Sequence, residues 1–350
     1  MLSPEILLLI FIVLAALAYF GVHWVRRYAE QRHILDHPSE RSSHDVPTPR
    51  GGGLGIVVLV LLTGVFFLMD AGWNRRSIYI VGAAIIAWLG WGDDVHSLSP
   101  RLRFAVQGII AAISIWGLGY FKAVTIPLVG EVQLGLAGIA ITFLWIMGLT
   151  NAYNFMDGID GLAGGVALSA GLAWMWLASN INNPFVFWVA LAITAGSLGF
   201  LGHNWSPARI FMGDVGSTFL GYSFAVLPLI SSDRGGDALL LGTLLMWTII
   251  LDAGMTFIGR LIKRQNVFAP HRSHLYQRLV IAGYRHVTVS SLYVLLTLLA
   301  GLLSYEWSLG HQFAPLLIFL GLPLIWMALS VYAARLRRPA PETKAIVLDP

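Results

Sequence analysis

Eleven apolar runs, each close to the length that crosses a lipid bilayer, recur along this chain and decide its fold class. A spanning helix needs about 20 predominantly apolar residues, with a range of roughly 17–25. The runs lie near residues 4–25, 51–69, 77–92, 104–121, 134–150, 161–179, 185–202, 215–231, 238–258, 287–304 and 313–334, the third of them short. Between residues 161 and 203 there is no Asp, Glu, Lys or Arg. Only the turn cluster Asn180-Ile181-Asn182-Asn183-Pro184 divides that stretch in two. The sequence therefore predicts an all-α, polytopic integral membrane protein with eleven transmembrane helices. Residues 1–338 form one transmembrane domain in this reading, and 339–350 a loose, Pro-containing cytoplasmic tail. Residues 124–134 alternate and turn, which predicts a small hairpin on the outer face.

Charge placement orients the helices. Arg26 and Arg27 follow the first run rather than precede it, the reverse of a secretory signal. An outside N-terminus and eleven crossings place eighteen of the 22 Lys and Arg in cytoplasmic segments. Arg75, Arg76, Lys122 and Arg234 remain outside, a bias that satisfies the positive-inside rule and puts the C-terminus inside. Only 11% of the residues are charged, against about 25% in an ordinary soluble domain. That deficit excludes a soluble globular enzyme, a disordered chain and a nucleic-acid binder built on a charged surface. The absence of Cys excludes disulfides, thiolate metal sites and a thiol nucleophile.

Five of the eighteen acids fall at the inner ends of the predicted helices: Asp93, Asp94, Asp157, Asp160 and Asp214. Carboxylates crowded at a membrane mouth repel one another unless something positive sits between them. Hard oxygen donors of this kind suit Mg²⁺, which takes a couple of carboxylates together with substrate phosphates. Asp93-Asp94 ends the third run, where a cation site and a plain polar helix cap are equally compatible readings. Asn151, Asn154, Asp157 and Asp160 recur every three residues within Asn151-Ala152-Tyr153-Asn154-Phe155-Met156-Asp157-Gly158-Ile159-Asp160-Gly161-Leu162. If helical, they climb one face. The spacing does not fit an EF-hand, and so many polar groups between two apolar helices are costly unless used. Gly213-Asp214-Val215-Gly216-Ser217 opens the eighth run, where Asp214 is either a metal ligand beside phosphate-facing amides or an N-cap. His203 reads as structural.

Three further features are weaker. Gly51-Gly52-Gly53 suggests a phosphate loop but lacks the Gly-Lys-Ser/Thr of a Walker A motif. Segment 259–286 holds Arg260, Lys263 and Arg264, then His271-Arg272-Ser273-His274. Those cations suit either lipid headgroups or a diphosphate. Asp252 sits inside the ninth run, where a carboxylate is a functional candidate by default, here in a supporting role. Pairing with Arg260 or Lys263 is the alternative.

Together these pieces resemble the polyprenyl-phosphate N-acetylhexosamine-1-phosphate transferases. The resemblance rests on Thr48–Gly53, Asp93-Asp94, Asn151–Leu162, the Asn204…Asp214 pair and His271–Leu279, in family order over residues 41–280. His271-Arg272-Ser273-His274 replaces the three consecutive His of the peptidoglycan branch and resembles the O-antigen or lipopolysaccharide-initiating branch. The resemblance implies a UDP-sugar donor, UDP-N-acetylglucosamine or a 6-deoxy relative such as UDP-N-acetylfucosamine. The acceptor is then undecaprenyl phosphate and UMP is released. It implies Mg²⁺, with Mn²⁺ as an alternative, held by Asp214 and Asn154. Asp93, with Asp94, would orient or deprotonate the lipid phosphate, and Asp157 and Asp160 would shape the metal and nucleotide site. Thr48, Asn151, Asn204, His271, Arg272 and His274 would bind substrate, with Arg101 and Arg103 drawing in the lipid phosphate. It also implies the bacterial inner membrane, a periplasmic N-terminus, an active site facing the cytoplasm and compatibility with a homodimer. A multi-pass transporter of a nucleotide-sugar or lipid-linked glycan is the rival, but transporters place their polar sites near the midplane.

Overall fold

A backbone amide in hydrocarbon has no water to bind, so an apolar run must close its hydrogen bonds internally. The computed structural model describes residues 3–38, 46–68, 75–231, 237–267 and 271–336. The predicted tail at 339–350 lies outside the described residues. Each of the eleven predicted runs contains helix. They are α1 (Pro4–Arg32), α2 (Leu54–Phe66), α3 (Arg75–His96), α4 (Pro100–Leu118), α5 (Ala137–Phe155), α6 (Leu162–Asn180), α7 (Pro184–Asn204) and α8 (Asp214–Ser231). There follow α9 (Asp237–Leu245), α10 (Trp247–Ile262), the short α11 (Leu275–Ile281), α12 (His286–Ser308) and α13 (Ala314–Leu336, with a π turn at Leu317–Gly321).

The eleven predicted runs differ in length and apolarity, and one of them is bent. Seven helices are long and apolar enough to cross a membrane unaided: α1, α3, α4, α6, α7, α12 and α13. Polar residues at the inner ends of α5 and α8, Asn151 and Asn154 on one and Asp214 and Ser217 on the other, dilute those two. The run 238–258 is broken at Met246, where α9 and α10 meet at 78°. The hairpin predicted at 124–134 is present as β3 and β4 below, preceded in the chain by β1 (Leu35–Asp36) and β2 (Thr48–Pro49), which pair antiparallel. Strands β3 (Ala123–Ile126) and β4 (Gly130–Gln133) pair antiparallel with Ala123 opposite Gln133.

Helix α8 is the axis of the bundle: every residue from Val215 to Leu229 is buried. Helices α3 and α5 pack on it, while α1, α2 and α6 pack on α7. Two glycines bring the first pair of contacts to backbone range. A Cβ on Gly90 of α3 would lie 2.5 Å from the Asp214 carbonyl oxygen, and one on Gly221 of α8 would lie 2.8 Å from the Leu149 carbonyl oxygen of α5. Real Cβ atoms do not approach so closely, so α3 and α5 meet α8 main chain to main chain. Those contacts carry the inner ends of α3, α5 and α8 to one place.

Candidate active site

Asp93 and Asp94 stand one turn beyond Gly90, and the site grows from that crossing. Arg103, on the first turns of α4, donates from one nitrogen, Nη1, to Asp93 Oδ2 at 2.7 Å and to Asp214 Oδ2 at 3.0 Å. The positive group that crowded acids require is thus a guanidinium. The other Asp93 oxygen accepts from the Leu98 N–H at 2.7 Å. Asn154 donates to Asp214 Oδ1 at 3.0 Å and to Ser217 Oγ at 2.9 Å, which fixes the Asp214 carboxylate from the α5 side. Arg103, Gln107, Asn151, Asn154 and Asp214 line a cavity of about 90 Å³ whose remaining wall includes Phe104 and Phe155. Asn151 reaches it while donating to Gln107 Oε1 at 2.8 Å.

Several expected roles are redistributed. Asp94 is not a free acid: it is buried, and its two oxygens accept the Asp214 and Val215 N–H groups at 3.0 and 3.1 Å. It caps α8 from another helix, so those amides do not face phosphate. Arg50 also donates to the Asp94 carbonyl oxygen. The triple glycine is not a phosphate loop, because the Gly52 and Gly53 N–H groups donate to the Phe211 and Met212 carbonyls, each at 2.9 Å. A Cβ on Gly53 would lie 2.3 Å from Gly216 Cα, which explains glycine at both positions. Thr48 donates to the Val46 carbonyl from within β2. Asn204 is 3% exposed, with its oxygen accepting from the Gly161 N–H and its nitrogen donating to the Ile210 carbonyl, both at 2.9 Å. Both amide atoms hold loops, so Asn204 shapes the site instead of touching a nucleotide. Arg101 is exposed and forms no ion pair with these acids.

Asp157 and Asp160 diverge although three residues apart. Asp157 is half-buried and its carboxylate accepts no hydrogen bond from the described residues. Burial, with the carboxylates of Asp214, Asp94, Asp36 and Asp160 nearby, pushes it up to about 8. Asp160 accepts from the Ala208 N–H at 3.1 Å and lies 3.3 Å from His286 Nδ1. Burial opposes its ionisation, but the His286 hydrogen bond and charge outweigh that and hold its carboxyl below the ordinary carboxylate value. It anchors the loop to α12, where the Ser290 hydroxyl also donates to its carbonyl oxygen at 2.6 Å.

The 271–276 segment closes the other side. His271 and His274 have ring centroids 5.0 Å apart, and His274 stacks on Tyr276 at 5.7 Å. Burial, then the charges of His274 and Arg260, push His271 down to about 4, so it is neutral at pH 7. Arg272, next in the chain after His271, is half-buried. Tyr276 donates to the Phe155 carbonyl at 2.9 Å, and a Cβ on Gly158 would lie 2.1 Å from its hydroxyl oxygen. Sequence reasoning missed Arg50, Gln107, Ser217, Tyr276 and His286. Arg50, Ser217 and Tyr276 stand inside the quoted motifs, whereas Gln107 and His286 carried no local signal.

The donor set fits a hard divalent cation. Asp93 and Asp214 already direct one oxygen each at a single positive centre, Arg103 Nη1. Among the described residues no three His, Asp or Glu side chains form a metal cage. Mg²⁺ characteristically binds through one or two carboxylates plus phosphate.

Membrane helices that gather carboxylates, amides and an arginine at one mouth define a class: multi-span membrane enzymes working at the bilayer surface. A family model described as glycosyl transferase family 4 matches residues 77–232. A Bacillus subtilis protein named probable undecaprenyl-phosphate N-acetylglucosaminyl 1-phosphate transferase is 35% identical over 270 residues, 75% of this chain and 74% of its own. A Mycobacterium leprae decaprenyl-phosphate N-acetylglucosaminephosphotransferase is 30% identical over 311 residues, 80% of this chain and 78% of its own. A Yersinia pestis undecaprenyl-phosphate alpha-N-acetylglucosaminyl 1-phosphate transferase is 27% identical and covers 94% of this chain and 91% of its own. The chain belongs to glycosyl transferase family 4, among the polyprenyl-phosphate N-acetylglucosamine-1-phosphate transferases.

Proposed function

We infer that this protein transfers an N-acetylhexosamine-1-phosphate from a UDP-sugar to undecaprenyl phosphate and releases UMP, the first step of a lipid-linked glycan such as O-antigen. The donor in this reading is UDP-N-acetylglucosamine or a 6-deoxy relative. The observation that carries it is the carboxylate pair Asp93 and Asp214 converging on one cationic nitrogen above a cavity that is polar on one wall and aromatic on the other. That is a place for phosphate at the mouth of a lipid-facing groove. A second, apolar cleft of about 720 Å³ runs between the outer halves of the same two helices, with Trp116 of α4 and Phe143 of α5 on its walls. The isoprenoid chain follows this α4–α5 line while its phosphate stays at the polar end.

An oxygen of the lipid phosphate attacks the sugar-side phosphorus, a new P–O bond forms, and the P–O bond to UMP breaks. The second pKa of a phosphomonoester is near 6, so the attacking oxygen is ionised at neutral pH and needs little base catalysis. The difficulty is the approach of two anions. Mg²⁺, or Mn²⁺ in its place, supplies charge neutralisation when bound at Asp214. Asn154 holds that carboxylate in position, Arg103 with Asp93 receives the acceptor phosphate, and His271, Arg272 and His274 meet the donor diphosphate. The membrane is the bacterial inner membrane, with this mouth facing the cytoplasm where UDP-sugars are made. A homodimer is compatible with the reading.

Purified protein, undecaprenyl phosphate and a panel of UDP-N-acetylhexosamines are expected to release UMP with one donor, and EDTA to abolish it. Metal-independent flux of intact nucleotide-sugar across vesicles would favour a carrier instead. Little supports that alternative, because the one acid deep in a span among the described residues, Asp252, is occupied by protein groups.

A further inference from the structure

Asp252 is a fully buried carboxylate on α10, the helix set at 78° to α9, and it is not part of the site described above. Its sequence alternative, pairing with Arg260 or Lys263, is not what the structure shows. Oδ1 accepts from the Leu275 N–H at 2.7 Å and from Thr256 Oγ1 at 3.4 Å. Oδ2 accepts from the Tyr293 hydroxyl of α12 at 2.6 Å and from the Tyr276 N–H at 3.3 Å. His274 Nδ1 lies 3.7 Å from Oδ1 and is buried with no other hydrogen-bond partner. Three elements therefore meet on one side chain: α10, α12 and the segment that begins α11.

A buried charge persists only when its oxygens are satisfied, so this arrangement is held firmly. The held segment is the one that carries His271, Arg272 and His274. Its far side is Tyr276, whose hydroxyl donates to the Phe155 carbonyl and packs on Gly158, next to Asn154 and Asp157. Displacement of α11 would therefore move the donor-facing histidines directly, and would reach Arg103 and Asp93 only indirectly, through Asn154 and Asp214.

We propose that Asp252 is a positioning residue for the nucleotide-sugar: it fixes the 271–276 segment through two backbone amides and His274, and so sets the donor site but not the acceptor site. This rests on the functional reading above. The two oxygens make different demands. Asp252→Asn keeps the volume and one acceptor oxygen but sets an NH₂ against backbone donors. Tyr293→Phe leaves the carboxylate and both amide bonds and removes only the hydroxyl.

The test is steady-state UMP release from purified protein in detergent, with donor and undecaprenyl phosphate varied separately, alongside direct calorimetric binding of the UDP-sugar and thermal unfolding. Asp252→Asn is expected to raise the donor KM and weaken donor binding about tenfold, leaving the lipid KM within twofold, since hydrogen bonds to charged groups are among the stronger ones. Tyr293→Phe is expected to shift the donor KM in the same direction by a few-fold. A merely structural role would lower the melting temperature and leave the donor KM of the folded fraction unchanged, and that result overturns the proposal. Equal rises in donor and lipid KM overturn it as well. If Asp252→Asn does not fold, Tyr293→Phe with an unchanged donor KM is sufficient to refute it. Wild-type protein that turns over no UDP-sugar would instead refute the functional reading, so the two failures are distinguishable.

Discussion

At pH 7 the Asp157 carboxyl keeps its proton, because burial and the surrounding acids lift it to about 8. An unfolded Asp titrates near 4, so between about pH 4 and 8 the folded protein binds more protons from this group than the unfolded chain. Its contribution to stability accordingly falls as pH rises through that window. A divalent cation set among the same acids displaces the proton, and its affinity is expected to rise from about pH 6.5 to about pH 8.5 and level off above. Thermal stabilisation by titrated Mg²⁺ at several pH values measures this directly. A pH-independent midpoint would remove Asp157 from the cation's surroundings. Asp214→Asn is expected to lower kcat about 100-fold, the scale seen when a metal's immediate supports are lost. UMP release within a few-fold of wild type at limiting Mg²⁺ would exclude Asp214 as the ligand. Arg103→Gln is expected to raise the KM for undecaprenyl phosphate about tenfold, the loss of one charge-assisted contact, with the donor KM unchanged. At this scale the sequence was informative about which residues matter and less so about what each does. The clustering of Asp93, Asp214 and Asn154 followed from their place at helix ends. The diversion of Asp94 to capping α8, and of Asn204 to tying two loops, depends on partners 120 and 43 residues away in the chain. No local spacing encodes such partners.

At the scale of elements, the crossing of α3 and α8 depends on Gly90. Gly90→Val forces a side chain into a main-chain contact, and overpacking of this kind costs about 1–3 kcal/mol. A lower melting temperature in detergent and loss of most activity are expected together, since the intruding methyls push Asp93 and Arg103 away from Asp214. Retained activity at a normal melting temperature would mean that the helices do not meet backbone to backbone. Helix existence was legible throughout, because long apolar runs leave the backbone no other choice in lipid. The 78° bend at Met246 was not, for Leu244-Leu245-Met246-Trp247 contains neither Gly nor Pro. The groups that hold α10 in its new direction, through Asp252, come from α12 and the start of α11.

At the scale of the whole molecule, the placement of Lys and Arg predicts an orientation, and the chain has no native Cys to interfere with a test of it. Single substitutions His96→Cys, beside the acids, and Val129→Cys, in the outer hairpin, both place a thiol at an exposed position. An impermeant maleimide is expected to label the second in intact spheroplasts and the first only in inverted vesicles. The reverse pattern would turn the active site outward and contradict cytoplasmic donors. The contact of α3 with α8 has a mechanical corollary. The two helices meet main chain to main chain at Gly90 and are tied again toward their other ends, where the Tyr79 hydroxyl donates to Ser223 Oγ at 3.1 Å. When a bilayer thickens or thins, helices answer by tilting. Two rods pinned at two levels tilt as one body. The pair can then follow the membrane it sits in while the acids keep their spacing.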